Sequence, residues 1–270
     1  MRMEKQDEVP SKLYKYYSPS AITKTLVTNT LRWLPPCEEN DPFEGLASGW
    51  DEVVVKRAIE NSQEKEDILS ALFKGREIQN RVSHITTFVS FAKRSDNLLM
   101  WSHYGEKFTG ACLEFDTYSL KKEIDELKQV DYAKTIGAQR MEVPLLLEGQ
   151  DDTSPEYQNR VRDFFSFKAK EWEYEEEWRF IVPPMASCIK PKVIDDKVIL
   201  VSGIPKGAIT KLIFGYNVPV PTRLGWAKQI RENHQNCKFA EVVPKRTTYE
   251  LDVVDLDIDA IENHSYRQPT

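Results

Sequence analysis

The sequence predicts an α+β fold: a single domain on a mixed or mainly antiparallel split sheet, with helices inserted irregularly. Three observations carry that prediction. Short runs rich in aromatic and β-branched residues recur with period-two alternation, as in GACLEFD (110–116), where Ala111, Leu113 and Phe115 alternate with Cys112 and Glu114. Prolines, glycines and Asn-Asp-Pro separate these runs. Helical patterns fall between them at uneven intervals, unlike the regular strand–helix alternation of a doubly wound sheet.

Taken in order, residues 1–11 form a polar tail and 12–256 the domain. LYKYYS (13–18) reads as a strand, with Tyr14 and Tyr16 on one face and Lys15 and Tyr17 on the other. Ser18-Pro19 then opens a helix, serine as N-cap and proline at the first helical position, with Ile22 and Leu26 on its apolar face. LRWL (31–34) is a short strand, PPCEENDPFEG a loop, and residues 51–81 a helical insertion with a charged, solvated face. ITTFVSFA (85–92) is a strand, and LLMWSHYG a short helix before GACLEFD.

Ser154-Pro155 starts a helix expected to run through VRDFFSFKAKEW. EEWRFIVPP is a strand stopped by Pro183-Pro184. Further strands are expected at 198–202, 209–215, 238–243 and 249–256, with a helix from about Pro221 to Asn233 and a C-terminal tail over 257–270.

A chain of 270 residues buries a sizeable core, and 40% hydrophobic with 30% charged residues describes a folded protein rather than a disordered one. No apolar run approaches the roughly 20 residues that span a bilayer. The N-terminus MRMEKQDEVPSK lacks the apolar stretch of a signal peptide. The expected location is the cytoplasm, without membrane contact and with Cys37, Cys112, Cys188 and Cys237 as reduced thiols. None of these cysteines forms a C-x-x-C pair or has a histidine at zinc spacing, so no metal is expected. A net charge of −6 argues against a protein that coats nucleic acid with its whole surface. The absence of G-x-G-x-x-G, Walker A, H-E-x-x-H and G-x-S-x-G motifs removes support for Rossmann dehydrogenases, P-loop NTPases, zincins and α/β-hydrolases.

Four stretches carry candidate chemistry. In EYEEEWRF (173–180), Glu175 and Glu177 sit two residues apart, which in extended backbone points both carboxylates the same way. Crowding raises their pKa and Arg179 on the same face opposes it. A charged strand edge against aggregation explains the same residues. In ENDPFE (39–44), Asn40 and Asp41 either line a pocket rim or simply build the turn. In LLMWSHYG, Trp101 packs inward while His103 and Tyr104 emerge at the helix end, either as cleft lining or as space-filling side chains. In LYKY, Lys15 anchors a phosphate or snorkels from a sheet edge.

The ordered set LYKY, NDPFE, LLMWSHYG-x-x-x-x-G-A-C-L-E-F, K-x-x-x-W-x-Y-E-x-E-W-R and IPKGAITKLIFG, covering about 12–216, resembles a widespread bacterial family known only as a domain of unknown function. The layout is also similar to the ADP-ribosyltransferase fold. There a split antiparallel sheet grips NAD, with a basic residue or His on a first strand, a serine motif on a second and a glutamate, often E-x-E, on a later one. Lys15, Ser90 and Glu175-x-Glu177 fall in that order. The chain departs from that pattern in having Lys where Arg or His is usual and a lone Ser90 in place of Ser-Thr-Ser.

That resemblance implies NAD as substrate in ADP-ribosyl transfer or NAD hydrolysis. Glu177 would stabilise the oxocarbenium-like transition state and fix the ribose 2′-hydroxyl, and Glu175 and Ser90 would complete the catalytic set. Lys15 would meet the pyrophosphate, Tyr14 or Tyr104 would stack on nicotinamide, and His103, Arg179, Asn40 and Asp41 would help to bind. Acceptors would be protein, nucleic acid or water. The setting would be a toxin–antitoxin pair or anti-phage defence, with an antitoxin chain as neutralising partner. Two other readings remain open: a non-catalytic module that binds a nucleotide or partner, and a nucleic-acid-cleaving enzyme using Glu177, Asp41 and His103.

Overall fold

The computed structural model describes residues 8–41, 43, 86–124, 127–134, 154–194 and 197–265. The expected helical insertion over 51–81 lies outside them. Its main body is an eight-stranded sheet in the order β13-β12-β11-β4-β1-β3-β8-β5. The strands are β1 (Lys12–Tyr17), β3 (Thr87–Ala92), β4 (Ala111–Asp116), β5 (Leu127–Gln129), β8 (Glu177–Val182), β11 (Ile209–Phe214), β12 (Lys238–Pro244) and β13 (Leu251–Asp255). Every pairing is antiparallel except β11 with β12, so the sheet is mixed and mainly antiparallel. A smaller sheet joins β2 (Thr30–Trp33), β10 (Lys197–Gly203) and β9 (Lys190–Ile194), and β6 (Asp131–Ala133) pairs in parallel with β7 (Phe167–Ala169).

The large sheet is pinched in the middle. β1 pairs with β4 over six residues and β3 with β8 over six, yet β1 meets β3 at a single registered pair, Tyr14 with Ala92. The sheet is nevertheless continuous across that seam, with β1 and β3 as neighbours in one eight-stranded order.

Helices contribute to the cores on both faces. In α1 (Pro19–Thr28), the Ser18 side chain accepts from the Ala21 amide and Pro19 takes the first position, as expected from the residues. Its Ile22 and Leu26 join Leu13, Phe91, Phe115, Trp178 and Phe180 in the main core. The helix Val220–Arg231, here α5, adds Trp226, Ala227 and Ile230 to that core. A second cluster on the opposite face gathers Tyr16, Met100, Trp101, Phe108, Cys112 and Val242, packed under α2 (Leu98–His103). Trp101 is fully buried, stacks on Phe108 at 5.8 Å and donates its indole N–H to the Ser95 carbonyl at 2.7 Å.

Several elements differ from expectation. The helix opened by Pro155, α4, stops at Phe164 instead of running through Trp172. Phe165 is buried and stacks edge-on against Phe164, and the aromatic run FFSF continues as strand β7 and a 3₁₀ turn, Lys170–Glu175. Strands β5, β6 and β9 have no clear period-two pattern, because each is short and carries charge. The expected C-terminal tail carries a helix, α6 (Ile258–Ser265), whose Ile258 reaches the main core. The remaining helix, α3 (Thr117–Lys121), follows β4 directly, capped by Asp116. Among the described residues no helix is long and apolar enough to cross a membrane.

The turn leaving α2 is unusual. Glu106, Lys107 and Phe108 all have positive φ, a left-handed run that side chains other than glycine resist. It is held by the Phe108 carbonyl accepting from Asn217 and by the Phe108 ring packed on Tyr216 at 4.7 Å. Gly110, just beyond, lies so close to β1 that a Cβ there would sit 1.9 Å from the Tyr17 carbonyl oxygen. Gly110→Ala is therefore expected to lower stability by about 3 kcal/mol through forced backbone displacement. Lys107→Gly, which relieves a left-handed residue, should raise it by about 1 kcal/mol. Urea unfolding midpoints of the two variants against the parent check both signs.

Candidate functional site

The seam between β1 and β3 opens into a cavity of about 200 Å³. Tyr14, Lys15 and Tyr16 of β1 form one wall, residues 88–92 of β3 another, and Glu175, Glu177 and Lys168 the floor. Asn40 and Tyr104 close one side. The cavity thus gathers Tyr14, Lys15, Asn40, Ser90, Tyr104, Glu175 and Glu177 from positions far apart in the chain.

At its floor, the Lys168 ammonium donates to Glu175 at 2.5 Å and to Glu177 at 3.2 Å, with all three side chains almost fully buried. Arg179 lies beneath, fully buried, and donates to both oxygens of Glu177 at 2.6 and 2.9 Å and to the Phe165 carbonyl at 2.8 Å. Its guanidinium also stacks over Phe88, 4.4 Å from the ring centroid. The Glu177 amide donates to the Tyr132 hydroxyl at 2.8 Å.

Extended backbone does not explain why the two carboxylates meet. Glu175 ends the 3₁₀ turn, Glu176 is left-handed with φ 44°, and the strand starts only at Glu177. Lys168 draws the carboxylates together instead. Two residues along β8, Arg179 does share a face with Glu177, as period two requires.

The environments push the two carboxylates apart. Burial drives the Glu175 pKa up, Lys168 opposes it and the Glu177 charge adds to it, leaving a net rise. At Glu177 burial alone would do the same, but Arg179 and Lys168 outweigh it and hold the group well below the usual carboxylate range. The Ser90 hydroxyl, which makes no hydrogen bond of ordinary geometry, stands near enough to Glu177 to assist. Tyr104 donates its hydroxyl to Glu175 at 2.7 Å, and burial together with that charge raises the phenol pKa. Asn40 makes a long 3.5 Å contact to the Tyr104 oxygen. On the far wall Tyr14 donates to Glu114 at 3.1 Å.

Lys15 runs through the gap between the strands, donating to the Ser90 carbonyl at 2.8 Å between the Phe91 and Tyr17 rings. Burial lowers its pKa, against the pull of Glu39 and Glu177. An amine desolvated in this way is poorly suited to gripping a pyrophosphate. Arg32, an exposed guanidinium at the cavity paired with Glu38 at 2.8 Å, is placed better for that.

Three candidate residues stand elsewhere. Arg179 supports Glu177 from below without lining the cavity, because complete burial leaves it no access. His103 is exposed at the end of α2, its ring 6.3 Å from that of Tyr174. Asp41 is buried in its own turn, where one oxygen accepts the Phe43 amide at 2.9 Å. Lys168 and Tyr132 were missed by the sequence reading. Lys168 is nevertheless the first letter of K-x-x-x-W-x-Y-E-x-E-W-R; reading its segment as a continuation of the helix opened by Pro155 hid it.

Asn97 joins the WSHYG helix to this floor. Its side-chain oxygen caps α2 by accepting from Leu99 and Met100, and its amide donates to the Tyr174 carbonyl at 2.6 Å.

Residues 100–180 match the family model described as "Protein of unknown function (DUF2971)". The DUF2971 segment runs from α2 to the middle of β8, so it holds Tyr104, Lys168, Glu175, Glu177 and Arg179. Tyr14, Lys15, Asn40 and Ser90 precede it. No curated protein and no solved structure matches the chain.

Removing the central cation leaves two buried carboxylates crowded, so Lys168→Met is expected to cost about 3–5 kcal/mol in urea unfolding. The carboxylates should also titrate in a fixed order. Glu175, its folded pKa raised, takes its proton first as pH falls and favours the fold only in that protonated form. Glu177, its folded pKa depressed, contributes stability that is complete above the unfolded value of about 4.3 and declines below it. Carboxyl-carbon NMR titration reads that order directly, and Glu177 protonating before Glu175 would refute the assignment.

Proposed function

We propose that the chain acts on NAD, as an ADP-ribosyltransferase or an NAD glycohydrolase. The observation that carries this reading is the convergence of Ser90, Glu175 and Glu177 on one cavity beside the short pairing of β1 with β3. At about 200 Å³ the cavity is below the roughly 300–1,000 Å³ of a site enclosing a whole drug-sized ligand. It therefore takes one end of the dinucleotide, nicotinamide and its ribose, with the pyrophosphate leaving past Arg32.

In this reading the bond from C1′ to the nicotinamide nitrogen breaks with its electron pair going to nicotinamide. The positive charge left on the ribose is stabilised by Glu177, which Arg179 and Lys168 keep ionised. Water or an acceptor then adds at C1′ and loses a proton, for which Glu175 is the nearby base, polarised through Tyr104. Ser90 positions Glu177 or the ribose, and Tyr14 or Tyr104 packs on the nicotinamide ring. A toxin or defence role, with its antitoxin partner, rests on the resemblance alone.

A second reading is a nucleotide-binding module without turnover. It is favoured by the ion pairs that already occupy both carboxylates. The nucleic-acid-cleaving reading loses its residue set, since Asp41 and His103 do not join Glu177 at the cavity.

The test is nicotinamide release from NAD, followed by chromatography, alongside calorimetric NAD binding. The wild-type chain should release nicotinamide, and Glu177→Gln should slow release by about 10²–10³-fold. Because that variant leaves Arg179 and Lys168 less well compensated, thermal melts accompany it, and Ser90→Ala and Tyr104→Phe provide milder losses of rate in intact folds. Binding without release supports the module, and neither binding nor release overturns both readings.

A further inference from the structure

The least explained group in the cavity is the Lys15 amine. It reaches the cavity because the seam parts on one side of Tyr14 and Ala92, letting a side chain from the core-facing side of β1 pass between two strands. There it lies 5.6 Å from the Phe91 ring centroid and 6.0 Å from that of Tyr17, and donates to a main-chain carbonyl instead of a carboxylate. The buried Lys168 is treated differently, held by two carboxylates at 2.5 and 3.2 Å.

We propose that Lys15 is a carbonyl-condensing amine, and that the cavity takes a small uncharged aldehyde, such as the open-chain form of an aldose, in covalent linkage to it. Flanking aromatics and a desolvated site are what turn a lysine from a surface cation into a nucleophile, and the lowered pKa of Lys15 has that same cause. The volume admits a molecule of sugar size. The charged groups around the cavity choose its class. Glu38, Glu39, Glu175 and Glu177 face it against Arg32 and Lys168, so an anionic oxo acid is disfavoured relative to a neutral aldehyde.

The step balances without a further reactant. The amine lone pair adds to the carbonyl carbon, and a proton passes from nitrogen to oxygen to give the carbinolamine. Protonation of its hydroxyl expels water and leaves the iminium. The Tyr104–Glu175 pair lines the same cavity and supplies a route for these protons. Hydrolysis reverses every step. The linkage forms whether or not NAD is turned over.

The experiment treats the full chain with glycolaldehyde and cyanoborohydride at pH 7, digests it, and follows hydroxyethylation of each lysine by mass spectrometry. Lys15 is expected to be modified at least about tenfold faster than the exposed Lys206 and Lys238. Its rate should also change less between pH 7 and pH 9 than theirs. Glyoxylate, the anionic counterpart, should label Lys15 more slowly than glycolaldehyde does. Modification of Lys15 at or below the rate of the surface lysines overturns the proposal, as does a preference for glyoxylate. The comparison is made within the wild-type chain, so it does not depend on the folding of any variant.

Discussion

A lysine ammonium buried between two glutamates organises the centre of this molecule. Lys168 is reached from a three-residue strand, the carboxylates from a 3₁₀ turn and from the start of β8, and Arg179 from two residues further on. Desolvating any one of these charges alone would cost several kcal/mol, so each is tolerable only because the others are present. The polypeptide must therefore bring FKA, EYEEE and EWRF into register together. This requirement accounts for features that look arbitrary one at a time: the left-handed Glu176, the early end of α4, and Asn97 holding the Tyr174 carbonyl.

The same cluster divides labour between its two carboxylates. Glu177, clamped by a bidentate guanidinium, has a fixed charge and a fixed orientation. Glu175 shares Lys168 and a phenol, and its charge is the less secure of the two. A site that offers one permanent negative charge beside one exchangeable proton is suited to stabilising a cation while moving a hydrogen. On the proposed reading, those are the two demands of breaking and replacing a glycosidic bond.

Much of this was legible in the residues, for reasons that can be named. Alternation in GACLEFD and the Ser18-Pro19 cap are local signals, and local signals survive folding. Trp101 as packing followed from its place on a short helix, whereas for Tyr104 that place left cleft lining and space filling equally open, and the cavity wall it joins is built by residues far away in the chain. His103 looked like an equal partner because sequence spacing does not show where a one-turn helix ends and solvent begins. Arg179 was placed on the correct face but at the wrong depth: period two gives the side and says nothing of what lies above it. Lys168 needed long-range knowledge, since nothing within ten residues of it shows that FFSFKA leaves the helix. The matched DUF2971 segment, from Met100 to Phe180, encloses that whole charge cluster, whereas the wall formed by β1 and β3 comes from outside it.

The single Tyr14–Ala92 pair has a mechanical consequence. Two well-paired ribbons, one running from β13 to β1 and the other from β3 to β5, are stitched by main-chain bonds at one place only. The ladder therefore does little to hold the ribbons together, and the hold falls to side chains that meet across the seam: Leu13 and Phe115 from one ribbon pack with Phe91, Trp178 and Phe180 from the other in a single core. The cavity lies where the ladder is sparsest, so its walls are set by side-chain packing more than by strand pairing.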